Sequence, residues 1–207
     1  MSLPDLARGI DAATIGAGMD AADHIRWQPV ATVEKYDDDQ TEWVRTKLGV
    51  IKHLAADFEA ANVKPFETVV APGNILTTAG LQRLTNLVIG AGGQAATNTA
   101  SRLGVGNSST AATVGQTDLS AAAGTANRFF QPMDATFPTA VNGVMTFRST
   151  FATGDANFVW AEWGVDIGTP TVTSGATVNA VLLNRAVQAL GTKASGSWVL
   201  TATVTIQ

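Results

Sequence analysis

The 207-residue chain contains no cysteine. That excludes a disulfide framework, a thiolate metal site and a cysteine nucleophile. It has only two histidines, His24 and His53. Both lie outside the β-rich half, so a Ser–His–Asp triad is not plausible there, and little is left for metal chemistry. Charged residues make up only 14% of the chain, so a charge inside an apolar run needs an explanation. No run reaches the length of a membrane span. The start "MSLPDLARGIDAATIGAG" lacks the basic opening and apolar core of a secretory signal. The chain is therefore expected to be made in, and released into, a cytosol. A net charge of −4 argues against nucleic acid as the main partner. No membrane partner and no cofactor are expected.

Hydrophobic residues supply 45% of the sequence, an ordinary globular value. The length fits one domain with an appendage, or two small domains. Charge is unevenly placed. Residues 1–99 carry 8 Lys/Arg against 12 Asp/Glu, while residues 100–207 carry 5 of each. The second half is rich in Thr, Ala, Gly, Ser and Asn, which suits a β-domain with a neutral polar surface. A surface of that kind resists association weakly and points to a chain that sits against neighbours.

Residues 1–30 carry isolated apolar side chains without a sustained period and are expected to form an extended or weakly helical arm, ordered by contacts beyond itself. In "RWQPVATVEKYDDDQ" a short strand alternates Val30, Thr32 and Glu34 against Ala31, Val33 and Lys35. Asp37–Asp39 then read as a solvated turn capping a helix, because no Gly or Glu follows at calcium-loop spacing. Val44, Leu48, Ile51, Ala55 and Phe58 predict a helix over about 41–61, weakened by Gly49. A strand bounded by prolines follows at 63–73. Leu81, Leu84, Leu87 and Val88 form the stripe of a helix at 77–89. Thr77 or Thr78 is its cap and Gly90 the left-handed residue after its end. The tail "GAGG" follows this helix rather than opening it and lacks a lysine, so it reads as a helix stop, not a phosphate loop.

Strands are expected at 102–106, 128–138 (an edge strand and turn), 143–151, 158–167, 181–190 and 197–206. Long polar loops at 107–127 and 168–177 have little to bury. In 197–206, Trp198, Leu200, Ala202, Val204 and Ile206 face the core, while Val199, Thr201, Thr203 and Thr205 face out. These elements predict a mainly β fold: an antiparallel, jelly-roll-like β-sandwich with one or two helices and an extended N-terminal arm. Residues 1–72 form the arm and attachment region, and residues 73–207 form the sandwich with its leading helix. Fully burying each large apolar side chain contributes about 1.5–3 kcal/mol, so ten or more could outweigh much of the chain entropy.

The stretch "FVWAEWGVDIG" (158–168) puts a glutamate among tryptophans. By the period of two, Phe158, Trp160, Glu162 and Gly164 share one face, and Val159, Ala161, Trp163, Val165 and Ile167 share the apolar one. Three readings stay open. Glu162 is structural and pairs with Arg148 or Arg185. Alternatively Phe158, Trp160 and Glu162 meet another subunit. In the third reading Glu162 is a general acid. If the turn at 154–157 closes a hairpin, Arg148 and Glu162 are cross-strand neighbours. Asp166 lies on the same strand and face at about 13 Å by strand rise, too far for the usual glycosidase pair. Trp160 could instead stack on a sugar.

Several segments in order carry a resemblance: "GNILTTAGLQRLTNLVIGAGG", "LGVGNSSTAATVGQTDL", "MDATFP", "VMTFRSTFATGDANFVWAEWGV" and "LLNRAVQALGTKASGSWVLTATVTI". The stretch from about Asn74 to Gln207 resembles a family of tailed-bacteriophage virion proteins. The resemblance implies a virion part rather than an enzyme, and supplies no catalytic or binding residues. The expected function is a non-enzymatic structural protein, a capsid-decorating (cement) protein attached to assembled capsid through its N-terminal region. A minor tail or baseplate protein, or a carbohydrate-binding module on the virion surface, are the alternatives. The expected partners are the major capsid protein or tail proteins of the same virion, and further copies of the chain, a trimer being favoured.

Overall fold

The computed structural model describes residues 27–50, 54–73, 75–168, 171–173, 176–178 and 181–206. The arm expected over residues 1–30 lies outside them up to residue 26. In chain order the described elements are β1 (Trp27–Tyr36), α1 (Asp38–Leu48), α2 (Ala55–Ala60), β2 (Glu67–Pro72), β3 (Ile75–Leu76), α3 (Thr78–Val88), β4 (Ser101–Gly106), β5 (Arg128–Pro132), β6 (Thr139–Val141), β7 (Val144–Phe151), β8 (Val159–Ile167), β9 (Thr171–Thr173), β10 (Ala176–Val178), β11 (Leu182–Thr192) and β12 (Ser197–Ile206).

The strands form two five-stranded antiparallel sheets, ordered β2-β1-β12-β7-β6 and β3-β11-β8-β4-β5. The chain crosses between them after β2, β5, β7 and β11, giving a jelly-roll-like sandwich. The β9–β10 pair is a separate two-stranded hairpin where a loop was expected at 168–177. Alternation along β12 places Trp198, Leu200, Ala202 and Val204 in the core between the sheets, as its period of two predicts. Ile206, at the strand's end, is instead 37% exposed.

The expected boundary at 72/73 comes at the end of β2, yet the strands before it belong to the first sheet. β1 pairs with β12 from Trp27↔Ile206 to Tyr36↔Ser197, and β2 pairs with β1 from Val30↔Pro72 to Lys35↔Glu67. Ala31 and Val33 on β1 are fully buried in the common core, so residues 27–72 fold with the rest. Lys35, buried beside them, is tied to β2: its Nζ lies 3.0 Å from Glu67 and 4.5 Å from the centre of the Trp198 ring.

The helix expected over 41–61 is two helices. Asp37 caps α1 by accepting from the Gln40 N–H, and the Gln40 side chain accepts from the Asp37 N–H. Gly49 ends it in the left-handed region at φ 66°, its N–H donating to the Arg45 carbonyl. α1 and α2 then lie on the outer face of the first sheet, where Val44, Phe58 and Tyr36 bury Val199 completely. Tyr36 and Phe58 stack at 3.9 Å. Val199, expected to face water, therefore belongs to a second small core.

α3 begins where expected. Thr77 accepts from the Gly80 N–H and donates its hydroxyl to the Leu182 carbonyl. Gly80 lets the helix touch β11, because a Cβ there would strike the Leu183 backbone. Gly90 has φ 68° just past the helix end.

The turn at 154–157 does not close a hairpin. β7 belongs to the first sheet and β8 to the second, so the segment 152–158 crosses between them. Lys193 fastens this crossing: its Nζ donates to the Ala152 carbonyl and to Asn157 Oδ1, both at 2.8 Å, while its side chain is nearly wholly buried. Burial pushes the Lys193 ammonium down from 10.5 to about 8, against the pull of Asp155 and Asp38. The unfolded chain thus holds this proton over a pH range in which the folded chain has released it. Unfolding takes up a proton there, so raising the pH through that window favours the folded state. Urea denaturation between about pH 7.5 and 9.5 should show the native chain gaining stability relative to Lys193→Met.

Candidate functional site

The candidate site is the outer face of the second sheet beneath residues 107–127. Its floor is made by three glycines. Gly104 and Gly106 alternate along β4 with the core residues Leu103 and Val105. Gly164 sits opposite Gly104 on β8. A Cβ at Gly104 would strike the Phe130 ring and crowd Leu119, and one at Gly106 would strike Glu162 Oε1 and Ala121 Cβ. Bare backbone at these positions lets the 107–127 segment lie directly on the sheet. Leu119 then packs with Phe130 and Leu182 as a small separate core. The segment expected to bury little therefore covers part of a sheet face.

Glu162 is fully buried under this strap. Its Oε2 lies 2.5 Å from Arg185 Nε and accepts the Ser120 N–H at 3.0 Å. Its Oε1 accepts the Ala121 N–H at 2.7 Å. Arg185, also fully buried, donates through Nη1 to Gln116 Oε1 at 3.1 Å and through Nη2 to the Thr110 carbonyl at 2.8 Å. Arg128 adds a third fastening, pairing with Asp118 at 2.8 Å and donating to the Leu119 carbonyl at 3.3 Å. Burial raises the Asp118 carboxyl above its ordinary range, and Arg128 pulls it back. The Thr78 N–H, at the start of α3, donates to the Val114 carbonyl at 2.8 Å. The strap is thus tied to β5, β8, β11 and α3.

Of the residues singled out, the structure brings Glu162 and Arg185 together and leaves Arg148 apart. Arg148 lies on the other sheet, where it pairs with Glu59 of α2 at 3.0 Å and lies over the Phe137 ring. The expected common face of Phe158, Trp160 and Glu162 does not form. Trp160 points into the core, with ring centres 4.7 Å from Phe151 and 4.9 Å from Trp198, and its indole N–H donates to the Ala156 carbonyl. Trp163, Val165 and Ile167 share that core, whereas Val159, expected among them, is 47% exposed. The alternation therefore slips between Trp160 and Trp163. Pairing is irregular at the same place: Trp160 opposes Gly191 while Glu162 opposes Val187. Phe158 is half-buried at the mouth of the crossing.

Fully buried, Trp160 cannot stack on a sugar. Glu162 is held by a guanidinium and two backbone N–H groups beneath a closed strap, which suits a fixed carboxylate rather than a proton donor meeting solvent-borne substrate. Asp166 is buried as well and accepts the Val181 N–H at 2.8 Å. An open hollow of about 370 Å³ borders β11 at Ala186–Gln188, and among its described lining residues Arg185 is the one titratable group. Among the described residues no cluster of His, Cys, Asp and Glu could hold a metal ion, and no helix is long and apolar enough to cross a membrane. Sequence reasoning missed Gln116, Ser120 and Ala121. Two of them act through backbone N–H groups, which every residue type but proline supplies; the isolated Leu119 in a polar stretch was the available signal.

The chain matches no known family description, no curated protein and no solved structure.

Two outcomes test this arrangement. Glu162→Gln should cost about 3–5 kcal/mol in urea denaturation, because it leaves Arg185 buried without a countercharge. Adding Arg185→Met should cost less than the sum of the two single changes. Separately, Gly106→Ala should lose about 1–3 kcal/mol and speed thermolysin cleavage within 107–127. Gly115→Ala, with open space around it, should stay within about 0.5 kcal/mol of the native chain.

Proposed function

We propose that the chain is a non-enzymatic structural component of a bacteriophage particle: a capsid-decorating protein that binds assembled capsid through its N-terminal region, residues 1–72. The resemblance of residues 74–207 to tailed-phage virion proteins supports this reading. So does the use of the buried polar groups, since Glu162, Arg185 and Lys193 are committed to holding a strap and a crossing in place.

The observation that carries the proposal is the β2 edge. β2 pairs with β1 on one side, and among the described residues its other side is unpaired. Val70 is 60% exposed on it, and Phe66, just before its start, is 57% exposed. The strand carries one acidic residue, Glu67, and no lysine of its own. An open apolar edge of this kind is a template for a partner strand, and isolated proteins normally protect such edges with charge. The edge lies within the region expected to attach.

Adding charge tests the reading without touching the core. Phe66→Lys combined with Val70→Lys should keep the native circular dichroism spectrum. It should lower co-sedimentation with particles assembled without the protein by at least about tenfold, since each lost apolar contact is worth about 1.5–3 kcal/mol when fully buried. Unchanged co-sedimentation would overturn attachment through this region. Copy number in stained gels of purified particles separates capsid from tail: hundreds of copies fit decoration, a few fit a tail component.

A further inference from the structure

The crossing between the sheets holds a buried lysine amine against a side-chain amide. Lys193 Nζ donates to the Ala152 carbonyl at 2.8 Å, to the Thr153 carbonyl at 3.4 Å and to Asn157 Oδ1 at 2.8 Å. The first two acceptors are main-chain atoms, but the third belongs to a carboxamide that an amine can attack. A C=O bond of about 1.23 Å puts Asn157 Cγ within about 4 Å of Nζ. Two further bonds keep the pair in register. The Lys193 N–H donates to the Phe158 carbonyl at 3.1 Å. Asn157 Nδ2 donates to the Thr153 carbonyl at 2.9 Å, which fixes the plane of the amide. An ammonium carries three protons and here meets three acceptors. A neutral amine carries two protons and a lone pair. With its two protons kept by the main-chain carbonyls, the lone pair is directed at the Asn157 amide. Burial favours that neutral form, bringing Lys193 down to about 8 against the pull of Asp155 and Asp38. A desolvated lysine in this state is a nucleophile.

We propose that Lys193 and Asn157 of one chain join spontaneously through an isopeptide bond. Nζ attacks Asn157 Cγ and a new C–N bond forms. The Cγ–Nδ2 bond breaks, and Nδ2 departs as ammonia. The proton that completes the ammonia is the one that Nζ sheds, so the step balances without an oxidant, a reductant or a further reactant. Asn157 is exposed, which lets water carry that proton and lets ammonia escape. Asp155, whose carboxylate accepts the Ala152 N–H at 3.0 Å, lies on the same turn as a second relay. Fixing the two groups side by side makes the attack internal, where effective concentrations reach about 10⁵ M or more. The product ties positions 36 residues apart. The covalent ring encloses β8 and β11, adjacent strands of the second sheet, and restricts the unfolded chain. This inference stands on the crossing alone and is independent of the particle reading.

Mass spectrometry of the full-length native chain tests it. The folded chain is held for days at about pH 9, where the amine is mostly neutral. Its mass should fall below the sequence mass by one ammonia. A succinimide at Asn142–Gly143 would lose the same mass, so the tryptic peptides decide. Beyond Arg148 the cleavage points are Arg185 and Lys193. The linked chain should yield residues 149–185 joined to residues 186–207, with cleavage after Lys193 blocked. Lys193→Arg and Asn157→Ala should each give no branched peptide. The pH effect described for the crossing belongs to the free amine, so it should appear in chain at full sequence mass and be lost in linked chain. A native chain that keeps its circular dichroism spectrum yet yields only separate peptides 186–193 and 194–207 overturns the proposal. So does a branched peptide that persists in Asn157→Ala, because the acceptor is then another side chain.

Discussion

Holding the Glu162 carboxylate out of water is the constraint that organises this molecule. A lone carboxylate inside a protein costs several kcal/mol, and one arginine rarely offsets that unless the remaining lone pairs and N–H groups are also satisfied. Here the surplus is absorbed by the strap: two backbone N–H groups reach Glu162, and Gln116 and the Thr110 carbonyl reach Arg185. The strap is short of apolar side chains and would gain little by lying on a sheet through burial alone. The ion pair supplies the reason for it to settle in one place. Glycines at 104, 106 and 164 set the depth at which it lies. Polar bonding fixes register here, while Leu119 adds a modest apolar anchor.

The same logic explains why each sheet carries a layer over part of its outer face although the chain is only moderately apolar. The first sheet carries α1 and α2 over Val199, and the second carries the strap over Gly104 and Gly164. A sandwich of this size ordinarily leaves its outer faces to water. Apolar side chains still face outward in several places on the described chain, among them the β2 edge and the groove beside α3. Both lie near the point where residues 27–76 enter the fold. Conformational specificity is thus concentrated in the strap and crossing, and much of the exposed apolar surface in residues 27–76 and α3.

How much of this could be read beforehand depended on which physical signal each element emits. β12 was legible because one of its faces meets the core along nearly its whole length, so side-chain polarity tracks position. β8 was legible as a strand and misread in its faces. Its alternation slips between Trp160 and Trp163, and its outer face meets the strap instead of water, so a fixed period of two sent Trp160 to the wrong side. Arg185 emerged as a candidate partner because charges are scarce in the second half. Arg148 was equally plausible from sequence. A Gly-Asp-Ala-Asn turn states that the chain reverses, not whether the next strand stays in the same sheet, and that decision removed Arg148 from Glu162. The strap left almost no trace because its key donors are backbone N–H groups. The helix over 41–61 kept its apolar spacing across Gly49, yet the left-handed conformation at that residue outweighed the periodicity.

The fold boundary carries the last consequence. β1 is a ten-residue strand hydrogen-bonded on both sides, to β12 and to β2, so residues 27–72 are structural necessities of the sandwich and cannot be a detachable tether. Removing them would strip two strands from a sheet and expose Leu200 and Trp198. An N-terminal region that is part of the fold transmits load differently from a flexible tail. Force applied at the β2 edge passes through the β1 ladder into β12, the centre of the first sheet, and through Trp198 to Trp160 in the second. A partner strand added to β2 would extend a sheet whose central strands are the deepest part of the core.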